Sequence, residues 1–260
     1  MIPADAVTAW GLTHAWRTAE QIEQDLLLSR AICEIANHPY LGDELVFRGG
    51  TAFHKLHLTE ALRYSEDLDY VRSTAGGIGP VTKALTELGG DLGFTVRTKI
   101  SAHPKVYWST LAHNGIPIRI KIEVNTHERS PARCVVRSRF AVDSSWWTGE
   151  ADVPVFDAIE MSATKLRALY QRKKGRDLFD LWLALSRLHL DADEIIAAFP
   201  PYRPAGYTAK VAAANLEAKR SDRAFRIDLD PLVTEWPVGY DVDAAAALVT
   251  NTVLAKIDAL

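Results

Sequence analysis

Two aspartates two residues apart, Asp67 and Asp69 in Ser65-Glu66-Asp67-Leu68-Asp69-Tyr70, are the side chains of this sequence best suited to chemistry. In an extended segment successive side chains point to opposite faces. Both carboxylates therefore share one face, and Leu68 and Tyr70 share the other. Neighbouring carboxylates repel unless a cation stands between them, and oxygen-only donors with no His or Cys beside them suit Mg²⁺ or Mn²⁺ better than Zn²⁺. Glu123, on the charged face of a later segment, offers a third carboxylate. Three would be enough to hold two ions for an in-line displacement at phosphorus. Upstream, Gly49-Gly50-Thr51 falls between a strand-like and a helix-like segment, where exposed N–H groups and a hydroxyl can receive phosphate oxygens. Taken singly each piece has a plainer reading: a surface carboxylate, a turn, or, for Glu123, an ion pair with Arg119 or Lys121. Their order along the chain is what singles them out.

The elements that must position these residues follow from periodicity. Ile22, Leu26, Leu27, Ile32 and Ile35 recur at helical spacing between Ala19 and Asn37, and the Pro and Gly of His38-Pro39-Tyr40-Leu41-Gly42-Asp43 stop that helix. Glu44 to Phe47 reads as a strand running into Arg48 and the two glycines, Thr51 to Leu58 as a helix, Asp67 to Val71 as a strand, and Val81 to Leu92 as a helix. Three strands follow, at Phe94 to Ile100, Lys105 to Ala112 and Ile116 to Asn125, the last two joined by Asn114-Gly115, a strong hairpin signal. On the third, Ile116, Ile118, Ile120, Ile122 and Val124 share a core face, while Arg119, Lys121 and Glu123 share the opposite one. After a loop from Ser144 to Pro154, containing Trp146-Trp147 and Gly149, the chain reads as helices at Asp157 to Arg172, Asp177 to Leu188, Asp191 to Phe199, Tyr207 to Arg220 and Asp241 to Ile257. The expectation is an α+β architecture. A domain over residues 1–155 carries a mixed, mostly antiparallel sheet, and an all-helical domain follows over 156–260.

Composition bounds the alternatives. The 260 residues are 48% hydrophobic and 24% charged, which excludes disorder, collagen and coiled coil. Two cysteines, Cys33 and Cys134, make neither a disulfide framework nor a Cys-rich metal site. No run approaches the ~18 apolar residues of a membrane span, so the expectation is a soluble, cytoplasmic monomer. The net charge of −3, from 30 Lys and Arg against 33 Asp and Glu, excludes a chain that is basic all over. Local basic stretches remain: Lys165, Arg167, Arg172, Lys173, Lys174 and Arg176 before any acid, and Arg129, Arg133, Arg137 and Arg139 near Trp146-Trp147. Arginines with aromatics suit an RNA backbone and unstacked bases, although a Trp pair also serves as packing. Lys165, a turn or more inside its helix among Met161, Leu166 and Leu169, needs an anion, and a triphosphate would serve. Asp177 and Asp180 read equally well as an N-cap with an ion pair to Arg172 or Arg176.

The order strand, Gly-Gly-Thr, helix, D-x-D strand, later carboxylate resembles the nucleotidyltransferase fold of the DNA polymerase β superfamily. More specifically, Phe47-Arg48-Gly49-Gly50-Thr51-Ala52-Phe53-His54-Lys55 followed by Arg63-Tyr64-Ser65-Glu66-Asp67-Leu68-Asp69 resembles the AbiEii/AbiGii nucleotidyltransferase toxins, which include the MenT-type toxins. Ala163-Thr164-Lys165-Leu166-Arg167-Ala168-Leu169 and Gly175-Arg176-Asp177-Leu178-Phe179-Asp180-Leu181 are similar to that family's Lys and Arg-Asp motifs. The resemblance runs from about residue 45 to 185. It implies that Asp67 and Asp69, with Glu123 as a possible third ligand, hold Mg²⁺ or Mn²⁺. It also implies that Gly49, Gly50 and Thr51, with Arg48 and Lys55, bind the NTP phosphates, and that Lys165 and Asp177 belong to the active site. Two positions depart from the superfamily pattern: Thr51 replaces the usual Ser, and Glu123 replaces the usual Asp. Ser65 matches a serine phosphorylated in some MenT-type toxins. A dianion two residues before Asp67 would repel a triphosphate.

The function expected is metal-dependent transfer of a nucleotide from NTP to RNA, foremost the 3′ acceptor end of tRNA, blocking translation. The chain would then be a toxin restrained by a cognate antitoxin. The rivals are transfer to a protein hydroxyl or a small molecule, a nucleotide-binding protein without turnover, and transfer of a γ-phosphoryl group to Ser65.

Overall fold

The computed structural model describes residues 2–60 and 62–259. The chain divides into two compact units, one made of the residues up to Arg129 with Val135–Phe156, the other of Ser130–Cys134 with the residues from Asp157 on. The single cut expected near residue 155 thus becomes a division at Phe156/Asp157 with an earlier five-residue excursion. Within the second unit Glu160 explains that excursion, since its buried carboxylate accepts from the backbone N–H of Ala132 (2.9 Å) and Arg133 (3.0 Å).

The first unit opens with helix α1 (Ala4–Gly11), the long α2 (Ala19–Asn37) and the short α3 (Leu41–Glu44). Thr18 caps α2, its hydroxyl accepting from Gln21 N–H. Strand β1 (Leu45–Arg48) runs into α4 (Gly49–Ala52), which continues as a π-helical turn, Phe53–His57. Then come β2 (Asp67–Arg72), α5 (Gly79–Asp91), β3 (Thr95–Lys99), β4 (Lys105–Leu111), β5 (Pro117–Asn125), β6 (Val136–Asp143) and β7 (Thr148–Val155). The seven strands form one sheet in the order β3-β4-β5-β2-β1-β7-β6. Pairings β2–β5 and β1–β7 are parallel and the other four antiparallel, which makes the sheet mixed.

The core strands follow the two-residue period. On β5, Ile118, Ile120, Ile122 and Val124 are all at most 3% exposed, and each contributes roughly 1.5–3 kcal/mol by leaving water. Ile116, expected on the same face, lies before the strand and is exposed. The segment read as a loop around Trp146-Trp147 is instead the turn of a β6–β7 hairpin. Ala151, Val153 and Val155 of β7 are buried, and Phe47 of β1 pairs with Val155. Gly149 and Pro154 hid the alternation of β7, and β6 is an edge strand with mostly exposed residues.

Among the described residues the second unit holds only helices: α6 (Ala158–Gln171), α7 (Gly175–Ser186), α8 (Ala192–Ala197), α9 (Ala209–Arg220), α10 (Arg223–Arg226), α11 (Val242–Thr252) and the 3₁₀ segments Pro200–Tyr202 and Leu254–Ala259. Asp157, Asp191, Thr208, Asp222 and Asp241 cap the N-termini of α6, α8, α9, α10 and α11 through side-chain bonds. The last expected helix, Asp241 to Ile257, is broken at Val253 by the switch to 3₁₀ geometry.

Candidate active site

The sheet register gathers the predicted carboxylates. Antiparallel pairing sets Arg48 of β1 beside Asp69 of β2, and parallel pairing sets Asp69 beside Glu123 and Asp67 beside Lys121 of β5. Since Leu68, Tyr70, Ile122 and Val124 are buried, the alternating Asp67, Asp69, Lys121 and Glu123 share the sheet's other face.

Directly beside Asp69 the chain leaves β1 through two glycines, the first of them required by its backbone. Gly49 has φ +82°, which L side chains rarely adopt, and a Cβ there would stand 2.5 Å from Asp69 Oδ2. A Cβ on Gly50 would stand 2.5 Å from Arg63 Nη2. The backbone of the loop is thereby pressed against the carboxylate that the D-x-D motif supplies. The Thr51 hydroxyl, expected to face phosphate, turns inward: it is 1% exposed and bonds to the Asp67 carbonyl (2.5 Å) and Ser65 Oγ (2.9 Å). Thr51 therefore fastens the start of the helix to the D-x-D strand and to Ser65.

Electrostatics around the pair are graded. Burial, and then the charge of Asp67, push the Asp69 carboxyl above the ordinary aspartate range, with Arg48 opposing the shift. Lys121 Nζ lies 2.7 Å from Asp67 Oδ2 and 3.6 Å from Glu123 Oε2, and Lys105 Nζ lies 3.2 Å from Glu123. Glu123 is thus level with Asp69 but engaged by two lysines, one of them Lys105 across the hairpin. Arg48 pairs with Glu128 and lies over the Phe156 ring.

Lys55 is placed differently from the expectation. It faces α2, where its ammonium meets the buried Asp25 carboxylate (2.8 Å) and Ser29 Oγ (3.0 Å). Trp10 Nε1 donates to the same aspartate (3.0 Å). These groups line a cavity of about 330 Å³ that also touches Thr51, Arg63 and Ser65. Sequence spacing put Lys55 one turn past Thr51 but could not show that a buried acid on α2 would claim it.

Lys165 and Asp177 belong to the second unit. Lys165 Nζ lies 2.6 Å from Asp180 and 3.5 Å from Asp177, and all three side chains are at most 7% exposed. Arg172 also grips Asp177 through Nε (3.1 Å) and Nη2 (2.6 Å). The anion that Lys165 needed is therefore a carboxylate of its own chain, and the ion pair of Asp177 with Arg172 is realised. Lys174 occupies the N-cap of α7, and Arg176 pairs with Asp228 (3.0 Å). Of the second basic stretch, Arg133 pairs with Asp157 (2.5 Å) and Arg139 with Glu150 (2.5 Å). The Trp146 and Trp147 rings are taken by Arg30 of α2, 5.1 and 5.6 Å from their centroids.

A strand that delivers a glycine turn and a helix against paired carboxylates on the neighbouring strand of a mixed sheet is the arrangement of a nucleotidyltransferase. The family model described as nucleotidyl transferase AbiEii toxin, type IV toxin–antitoxin system, matches residues 30–247, and the chain belongs to that family. Its fold is similar to that of MenT4, a nucleotidyltransferase toxin from Mycobacterium tuberculosis H37Rv, with TM-score 0.66 and 19% identity over 100% of this chain and 91% of that one. An antigenic nucleotidyltransferase-like protein from Paracoccidioides brasiliensis superposes too loosely to bear on the fold, with TM-score 0.43 and 17% identity over 79% of this chain and 90% of that one. No curated protein matches the sequence. Among the described residues no helix is long and apolar enough to cross a membrane.

Proposed function

We propose that this nucleotidyltransferase toxin is metal-dependent and transfers nucleotides from NTP to RNA, foremost the 3′ end of tRNA. The reading rests on one observation: the Gly49 backbone lies so close to Asp69 that no side chain fits between them, which joins a loop suited to phosphate with a pair suited to a cation. The donors fit a hard divalent ion. Asp67 and Asp69 offer oxygen only, from one face of one strand, and the upward shift of Asp69, from burial first and then from the charge of Asp67, is one that a cation would oppose. Among the described residues no three His, Cys, Asp or Glu side chains converge as a ready ligand cage. The Asp67/Asp69 pair would hold Mg²⁺ together with substrate phosphates, which commonly complete such a site. When bound, the ion would polarise phosphate and ease deprotonation of the attacking hydroxyl.

The remaining roles fall to the chain. The Gly49, Gly50 and Thr51 backbone would receive phosphate oxygens. Arg48, adjacent to Asp69, would offset negative charge, and Thr51 would keep the loop and the carboxylate strand in register. Glu123 stands ready as a third ligand only once its lysines move. Lys165 and Asp177 would support the activity as a buried scaffold. Ser65, bonded to Thr51, is the position where phosphorylation by a cognate antitoxin would put a dianion beside the D-x-D strand. We also read the chain as a cytoplasmic monomer in which the second unit, the residues from Asp157 on with Ser130–Cys134, is a helical domain.

The test is incubation with Mg²⁺, each α-labelled NTP and total tRNA. Label in tRNA that disappears in Asp69→Ala supports the proposal. Label in protein points to a protein hydroxyl as acceptor, and NTP binding without transfer in any arm would sink the catalytic reading.

A further inference from the structure

The ammonium of Lys121 is seated against a carboxylate read above as a metal ligand, Asp67. From β2 to β4 the open face carries alternating charges: Asp67, Lys121, Glu123, Lys105. The parallel register puts Lys121 level with Asp67, with Nζ 2.7 Å from Oδ2, and the same Nζ is 3.6 Å from Glu123. Glu123 is held on its other side by Lys105 at 3.2 Å. Lys121 is 28% exposed along its side chain, so it has room to leave.

We infer that Lys121 is an internal counter-ion that occupies the carboxylate cluster until a divalent cation displaces it, and so sets the affinity of the site for metal. The inference rests on the reading of Asp67 and Asp69 as metal ligands. An ammonium at 2.7 Å from Asp67 Oδ2 and a dication on the same carboxylate repel each other at close range. Metal therefore binds Asp67 most tightly once the Asp67–Lys121 pair has opened. A lysine suits this role because its charge sits on a flexible, unforked stem that moves without dismantling a planar network. The consequence is a site with a raised metal threshold, filled more readily when NTP phosphates add ligands of their own. Lys121 is in this sense a positioning residue, acting on the reaction through the carboxylates.

The experiment is a titration of the full chain with Mn²⁺, reading free ion by electron paramagnetic resonance, on the unaltered protein and on Lys121→Met, Lys121→Arg and Asp69→Asn. Lys121→Met is expected to bind on the order of tenfold more tightly, equivalent to ~1.4 kcal/mol. Lys121→Arg should stay near the unaltered protein because it keeps the competing charge. Without metal, Lys121→Met should melt at a lower temperature, and Mn²⁺ should restore it. Circular dichroism checks folding, and Lys121→Gln repeats the titration should the Met variant fold poorly. Metal binding that depends on Asp69 but is unchanged or weaker in the uncharged Lys121 variants overturns the counter-ion role. Absence of binding in both proteins, or binding indifferent to Asp69→Asn, overturns the metal-site reading instead.

Discussion

Replacing Lys165 by Met separates a lysine held by its own fold from one waiting for a substrate. Its ammonium lies 2.6 Å from Asp180, and neither side chain is more than 7% exposed. At an effective dielectric of about 20, charges at that separation attract by about 6 kcal/mol. Desolvation of both ions cancels much of this, and removing one partner of a buried pair typically costs ~3–5 kcal/mol because the other charge stays behind. Lys165→Met is therefore expected to lose ~3–5 kcal/mol in urea unfolding followed by far-ultraviolet circular dichroism. Adding Asp180→Leu removes the partner carboxylate as well. The double variant should then cost much less than the sum of the two single variants, with a coupling of about 2–3 kcal/mol. A loss below ~1 kcal/mol for Lys165→Met, or strict additivity in the cycle, would refute the reasoning and return Lys165 to the substrate.

Three further outcomes are expected. Gly49→Ala forces a Cβ toward Asp69 from a left-handed backbone; it should cost at least ~1–2 kcal/mol in denaturant and slow nucleotide transfer by about 100-fold, and near-normal rates would show that the loop does not hold phosphate. Ser65→Asp should transfer nucleotide more slowly than Ser65→Ala, which forfeits only the Thr51 bond at ~1 kcal/mol; the reverse order in initial rates would remove the case for control by charge at this position. Lys219, whose ammonium donates to the Leu169 and Tyr170 carbonyls, is lowered by burial to about 8 from 10.5. Between those values the unfolded chain binds the extra proton, so stability should rise with pH across that window and level off above it. Lys219→Met should abolish that rise in pH-dependent melts, and an unchanged profile would assign the rise to another group.

The D-x-D pair, the glycine turn and the charged face of β5 were legible in the sequence because each depends on a local period or a local conformational need. What escaped was set by partners distant in sequence. The sequence offers Glu123 a partner in Arg119 or Lys121, yet its shorter contact is to Lys105 across the hairpin. Lys121 came to Asp67 through a parallel register that the whole stretch from α5 to β4 determines. The tie of Lys55 to Asp25 required α2 to pack an acid inward, against the usual fate of helix carboxylates. The β6–β7 hairpin was hidden by an exposed edge and by Gly149 and Pro154.

The bridge between Phe47 and Val155, extended by Phe156 N–H donating to the Phe47 carbonyl at 3.1 Å, also bears on the birth of the protein. The strand that aims the glycine turn acquires its second neighbour from a segment made roughly a hundred residues later. At a synthesis rate of about 5–20 residues per second, that interval is roughly 5–20 seconds. Until β7 emerges, β1 is an unfinished edge and the turn lacks one of its supports. A truncated or still-growing chain therefore has no finished site, and a cell translating this toxin is shielded from each copy until most of the first unit has been made.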